Sequence, residues 1–264
     1  MDLQIPLIVF LLTKLPMKFA NADSNCFGPV CIPESYDKTI LPFQNETNYI
    51  NVGFSYIRIL KVDDEESTIT LRLTLDMNWM DPRLSVEPHA DDFSIENFTI
   101  AALNYAIRPK IWIPSPTVID WKSIRTTDGW FYLINQTTLS HISELEIQLY
   151  CSMKFDDYPF DSQFCYLKMM NVDYIDDKLI FKPTMIQPIE DSPANRQLHF
   201  KKLDVLDYYV EFYHLTKKDS VYESKGLNRT IVGFEIELRR KYGKYITYYY
   251  IPSGLIAIIS CVSI

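Results

Sequence analysis

The strongest constraint in this chain is a two-residue rhythm. Ile69, Leu71, Leu73, Leu75 and Met77 alternate with Thr68, Thr70, Arg72, Thr74, Asp76 and Asn78. Leu145, Ile147 and Leu149 alternate with Glu144, Glu146 and Gln148. Val232, Phe234, Ile236 and Leu238 alternate with Gly233, Glu235, Glu237 and Arg239. Successive side chains of an extended strand point to opposite faces, so each run predicts a strand with one buried and one solvated face. Strands of that kind pair antiparallel and stack as a sandwich. One short helix is predicted around Pro33 to Leu41. Long helical periodicity and internal repeats are absent.

Composition narrows the functions open to such a sandwich. The 264 residues are 47% hydrophobic, enough for a sizeable core, and 18 Tyr with 15 Phe suit strands. There are 7 Gly, where average usage predicts about 18. That excludes collagen-like and Gly-rich phosphate-cradling readings. A formal net charge of −8 argues against nucleic acid, which calls for clustered Lys and Arg. Neither Gly-x-Ser-x-Gly nor His-Glu-x-x-His occurs, so no enzyme and no cofactor are expected. Asp63-Asp64-Glu65-Glu66 reads as a solvated charge run in a turn between strands.

Both ends are apolar. Ile5 to Leu12, then Lys14, Lys18 and Ala20-Asn21-Ala22, resembles an export signal over residues 1–22, although Asp2 stands where a positive start is usual. Tyr245 to Ile264 carries no charge over twenty residues; a helix of that length spans roughly the 30 Å of a bilayer core. Tyr245, Tyr248, Tyr249 and Tyr250 suit the headgroup level, and Arg239, Arg240, Lys241 and Lys244 flank it. The expected order is a signal (1–22), an extracellular domain (23–244) and a membrane helix (245–264). Four glycosylation sequons, at Asn45, Asn97, Asn135 and Asn228, fit an exported chain. Cys261 falls in the membrane segment. The other four cysteines allow three pairings; locality favours Cys26 with Cys31 and Cys151 with Cys165. Neither spacing is the Cys-x-x-Cys of a metal site, and an oxidising compartment favours disulfides.

The segment Cys151 to Cys165 reads CSMKFDDYPFDSQFC. It resembles the signature disulfide loop of the Cys-loop receptors, the pentameric ligand-gated ion channels. Trp79-Met80-Asp81-Pro82-Arg83-Leu84 is similar to the family's W-x-D-x-R-L, and Ile111-Trp112-Ile113-Pro114 to the strand leading into binding loop A. Leu238-Arg239-Arg240 followed by Tyr250-Ile251-Pro252-Ser253 resembles the junction with the first membrane helix. Order and spacing hold over roughly residues 33–264. The resemblance implies an all-β fold: an antiparallel, immunoglobulin-like β-sandwich ectodomain with a short N-terminal helix, followed by one C-terminal transmembrane α-helix. The chain would then stop within the first of four membrane helices, before the pore helix. The resemblance also implies gating residues: a tip of Tyr158, Pro159 and Phe160, and a charged junction of Asp161, Arg239 and Arg240. The branch resembled most is the invertebrate anion-selective one, with glutamate-, histamine- and pH-gated chloride channels.

Family pockets lie between subunits, and here the loop positions depart from the usual pattern. The loop D strand offers Thr74 and Asp76, loop A Thr117 and Val118, and loop B Met170, Asn171 and Val172. Loop C, about Lys217 to Thr230, has Tyr222 as its only aromatic. The aromatic cages that hold cations and the arginine forks that hold carboxylates are largely missing. Two expectations follow. Either Asp76 and His141 on the loop E strand sense protons or a divalent metal, or the subunit has lost its site and only co-assembles. The partners implied are sibling subunits in a pentamer, the lipid bilayer and a small ligand, proton or divalent metal. The implied place is the plasma membrane, domain outside, reached through the secretory pathway. A pore-less tethered or secreted binding protein is the alternative.

Overall fold

The computed structural model describes residues 26–27, 29–86, 93–95, 98–103, 105–127, 129–134, 138–188, 203–205, 207–224 and 226–262. The expected export signal and the sequons at Asn97 and Asn135 lie outside them. The strands begin with β1 (Cys26–Phe27), β2 (Val30–Cys31), β3 (Asn48–Asp63), β4 (Thr68–Met80) and β5 (Ser85–Val86). Next come β6 (Phe93–Ile95), β7 (Phe98–Leu103), β8 (Thr117–Ile119), β9 (Trp121–Thr126), β10 (Trp130–Ile134) and β11 (Thr138–Tyr150). The last are β12 (Ser162–Met170), β13 (Leu179–Pro188), β14 (Leu203–Val205), β15 (Tyr208–His214), β16 (Val221–Ser224) and β17 (Leu227–Arg240).

The alternating runs become β4, β11 and β17, the centres of two sheets. One sheet runs β13-β3-β4-β11-β10-β7-β6, with β9 also on β11. The other runs β14-β15-β17-β12-β8, with β16 on β17. Their apolar faces meet, and Phe54 of β3 meets Phe234 of β17 edge to face at 5.4 Å. Leu71, Ile147, Leu167 and Ile236 are wholly buried between the sheets. Each such side chain contributes about 1.5–3 kcal/mol over leaving it in water. A disulfide from Cys151, at the end of β11, to Cys165 of β12 ties one sheet to the other, and a second joins Cys26 to Cys31.

Two expectations need correction. The sandwich is not wholly antiparallel, because β13 pairs with β3 in parallel, Leu179 opposite Asn48. No tight hairpin links these strands, and a long crossover leaves the direction free. Pro183 and Pro188 confine β13 to a sheet edge. The predicted helix at Pro33 to Leu41 is instead a succession of turns. Its carbonyls are engaged elsewhere: Arg83 Nη1 donates to both Asp37 O and Ile40 O at 2.8 Å. Tyr36 Oη donates to Asp81 and accepts from the Trp112 N–H. So few residues do not hold a helix against that competition.

After β17 the chain enters a helix of twenty residues, Gly243–Val262, whose most apolar 18-residue stretch has a mean hydropathy of 1.4 and no fully buried residue. Pro252 has no N–H to offer the turn before it. The helix widens there: over Ile246–Tyr250 it is π-type, and the Ile251 N–H reaches back to Ile246 O.

Candidate functional site

The positions expected to line a pocket fall into separate groups. On the smaller sheet, β8 and β12 pair Thr117 with Met170 and Val118 with Met169. Thr117 is exposed and Met170 half-buried on the outer face; Val118 is buried between the sheets. Val172 is exposed just beyond β12. Asn171 is buried and occupied with its own turn, its amide donating to Tyr174 O and its Oδ1 accepting from the Asp173 N–H, both at 3.1 Å. Tyr222 is exposed on the β16–β17 hairpin, opposite Arg229.

Thr74 and Asp76 lie on the larger sheet, half-buried on the outer face of β4. Asp76 Oδ1 accepts from Asn78 Nδ2 and Ser140 Oγ, each at 3.1 Å. His141 does not join them. Its ladder partner is Met77, whereas Asp76 stands opposite Ile142, so Asp76 and His141 face opposite sides of the sheet. The two cannot share one ion. Among the described residues no group of three or more His, Cys, Asp or Glu could hold a metal. His141 stacks instead on Phe131 at 4.3 Å in the interior. Burial, with Arg108 second, lowers its pKa to about 4. The phase of β11 carried this message: Leu149, Ile147 and Leu145 point inward, and counting back by twos reaches His141.

The end of the sandwich next to the helix is built around Arg240. Its Nε and Nη2 fork onto Asp161 at 2.7 and 3.0 Å, and Nη1 reaches Asp64 at 2.8 Å. Asp161 also accepts from Gln163 Nε2 at 2.6 Å, and Tyr208 Oη donates to Asp64 at 2.6 Å. The guanidinium sits over the Tyr208 ring (4.8 Å) and the Tyr158 ring (5.0 Å). Burial would raise the Asp161 pKa, but the Arg240 and Gln163 bonds hold it below the usual carboxylate range. Bidentate, charge-assisted pairs of this kind are strong and directional.

Arg239 takes no part. It projects from the outer face to Glu237 at 2.7 Å and Glu211 at 3.8 Å. The expected junction of two arginines is therefore one arginine. Asp64, read from sequence as part of a solvated run, is its second partner; nothing local in Asp63-Asp64-Glu65-Glu66 singles it out. Around this hub the loop tip projects. Phe160 is 62% exposed and leans on Tyr242 at 4.9 Å, while Tyr158, joined to Pro159 by a cis peptide, meets Tyr245 at 5.4 Å. Aromatic contacts thus link the disulfide loop directly to the start of the helix.

The fold is thus a disulfide-bridged two-sheet sandwich whose helix-proximal end is clasped by a buried arginine. The family model for the neurotransmitter-gated ion-channel ligand-binding domain matches residues 31–242, and the chain belongs to that family. It is similar to the 5-hydroxytryptamine receptor 3E of Homo sapiens, 22% identical over 84% of this chain and 47% of the relative. It is similar also to the acetylcholine-gated chloride channel subunit acc-1 of Caenorhabditis elegans, 20% identical over 99% of this chain and 54% of the relative. The chain spans about half the length of these curated relatives.

Proposed function

We propose that this chain is the extracellular ligand-binding and gating part of one subunit of a pentameric, chloride-type ligand-gated channel. The observation that carries the reading is the Arg240 hub. One buried side chain holds the disulfide loop through Asp161 and the β3–β4 turn through Asp64, three residues before an apolar helix of membrane-spanning length. In this reading the helix crosses the bilayer, residues 23–244 stand outside the cell, and Tyr158, Pro159 and Phe160 press on the channel's membrane part. Exposure of Asn45 and Asn228 supports glycosylation there after export. The chloride type is supported by the motif resemblance and by the likeness to the worm chloride-channel subunit.

The division of the pocket positions between two sheets supports a site shared by neighbouring subunits. Thr117, Met170, Val172 and Tyr222 would come from one subunit, Thr74 and Asp76 from the next. None of the six is an arginine, and Tyr222 is the only aromatic among them. That favours a ligand other than an amine or amino-acid transmitter. It equally favours a second reading, a modulatory subunit that co-assembles with conducting siblings. Voltage-clamp recording of the complete subunit, expressed alone and with a sibling, separates the two. Currents only on co-expression support the modulatory role. Robust currents from the subunit alone on glycine, glutamate, GABA or histamine would sink the unusual-ligand reading. Asp64→Asn, which leaves the Arg240–Asp161 fork intact, should shift the ligand response to higher concentration at unchanged surface expression; an unshifted response would remove the coupling role.

A further inference from the structure

We propose that this chain assembles with copies of itself, an arginine row on the outer face of the larger sheet docking on a glutamate band on the smaller sheet of the next copy. The row crosses four strands at one level: Arg58 of β3 stands opposite Arg72 of β4, Arg72 opposite Glu146 of β11, and Glu146 opposite Arg125 of β9. All three arginines are exposed. Arg72 bonds Glu146 at 2.8 Å, while Arg58 and Arg125 have no acidic partner among the described residues. Glu144, opposite Thr74, bounds the row on the side away from the Arg240 hub. On the smaller sheet the signs are reversed. Glu237 of β17 stands opposite Glu211 of β15, and Glu235 lies one step along on the same face. Arg239 stands among them, 2.7 Å from Glu237 and 3.8 Å from Glu211.

Each group has an imbalance that the other offsets. Like charges directly opposite on neighbouring strands are destabilising, yet the fold sets Arg58 against Arg72 and Glu211 against Glu237. Three arginines with one glutamate form the row, and three glutamates with one arginine form the band. The hub brings them to matching heights. Arg240, the last residue of β17, holds the β3–β4 turn through Asp64, so the strands of both sheets are measured from one level. At about 3.4 Å per residue, Arg72 lies about 14 Å from the start of β4, and Glu237 and Glu235 lie about 10 and 17 Å from Arg240. Head-to-tail copies close into a ring by rotation about one axis, and rotation about an axis along the strands preserves height. The row of one copy therefore meets the band of the next. The same two outer faces carry the pocket positions assigned above to neighbouring subunits. The inference rests on that pentameric reading and names the neighbour as a second copy of this chain.

The test is co-capture of the full chain carrying two different tags, co-expressed and solubilised in detergent; the amount of the second tag retained through the first reads self-association. Wild type is expected to retain wild type. Retention should fall by about tenfold or more when salt is raised to about 1 M, where the Debye length shrinks to about 3 Å. Arg58→Glu with Arg72→Glu in both copies should lower retention to a similar extent, and so should Glu211→Lys with Glu235→Lys. Pairing one reversed variant with the other should restore it, because every interface then joins opposite charges. Retention indifferent to salt, or variants that retain themselves as well as they retain each other, overturns the proposal. A wild type that does not retain itself, yet is retained by a conducting sibling and alters its currents, overturns the proposal and leaves the channel reading standing. A wild type retained by neither sinks both. If a reversed variant fails to fold, the salt response of the wild type still decides.

Discussion

Gly233 holds φ at 152° within β17, opposite Lys168 of β12. A Cβ built there would stand 1.8 Å from Leu167 O, a backbone atom that cannot swing aside. Gly233→Ala should therefore destabilise the domain by about 3 kcal/mol or more, read as a lowered melting temperature. His141 makes a pH prediction of opposite character. Burial lowers its pKa from the usual histidine value near 6.5 to about 4, so between these pH values the unfolded chain binds the proton that the folded chain refuses. Stability is unaffected by this group above about pH 6.5 and declines as pH falls toward 4. In His141→Phe that part of the decline should vanish from melting curves recorded across the interval; an unchanged slope would show that other groups cause it.

At the scale of elements, parity is what the sequence made legible. In β4, β11 and β17 one set of alternating residues is apolar, and those strands form where the rhythm runs. The same parity places His141 inward, Arg240 inward with Leu238, and Arg239 outward, so two neighbours in one strand cannot serve one site. Pairings across long separations were not legible. The parallel register of Leu179 with Asn48 and the reach of Arg240 to Asp64 depend on how distant segments meet, which no local pattern records. The turns at Pro33 to Leu41 were hidden for a related reason, since their carbonyls answer to Arg83. The hub gives the matching prediction. Asp161→Asn should cost about 3–5 kcal/mol, because it leaves a buried guanidinium poorly compensated. Arg239→Gln should change stability by less than about 1 kcal/mol. Thermal melts of the two variants check the contrast, and equal effects would contradict it.

For the whole molecule, the proposed membrane helix would have a different solvent from the sandwich. Beyond its first turn, where Tyr245 meets Tyr158, the helix is exposed from Thr247 to Val262, which is expected of a segment whose apolar surface is meant for lipid. Ile256→Arg, at 66% exposure in the wild type, should oppose insertion by about 2.5–3.5 kcal/mol. Alkaline extraction of membranes should then release the variant and retain the wild type. The hub also orders events in time. Arg240 is separated from Asp161 by 79 positions and from Asp64 by 176, so both acids are synthesised long before their partner. Until then Asp161 lacks its buried counter-charge, and that end of the sandwich stays unlatched. The ribosome must deliver almost the entire domain before its final clasp can shut, and a chain interrupted shortly before that arginine would leave a sandwich with one end open.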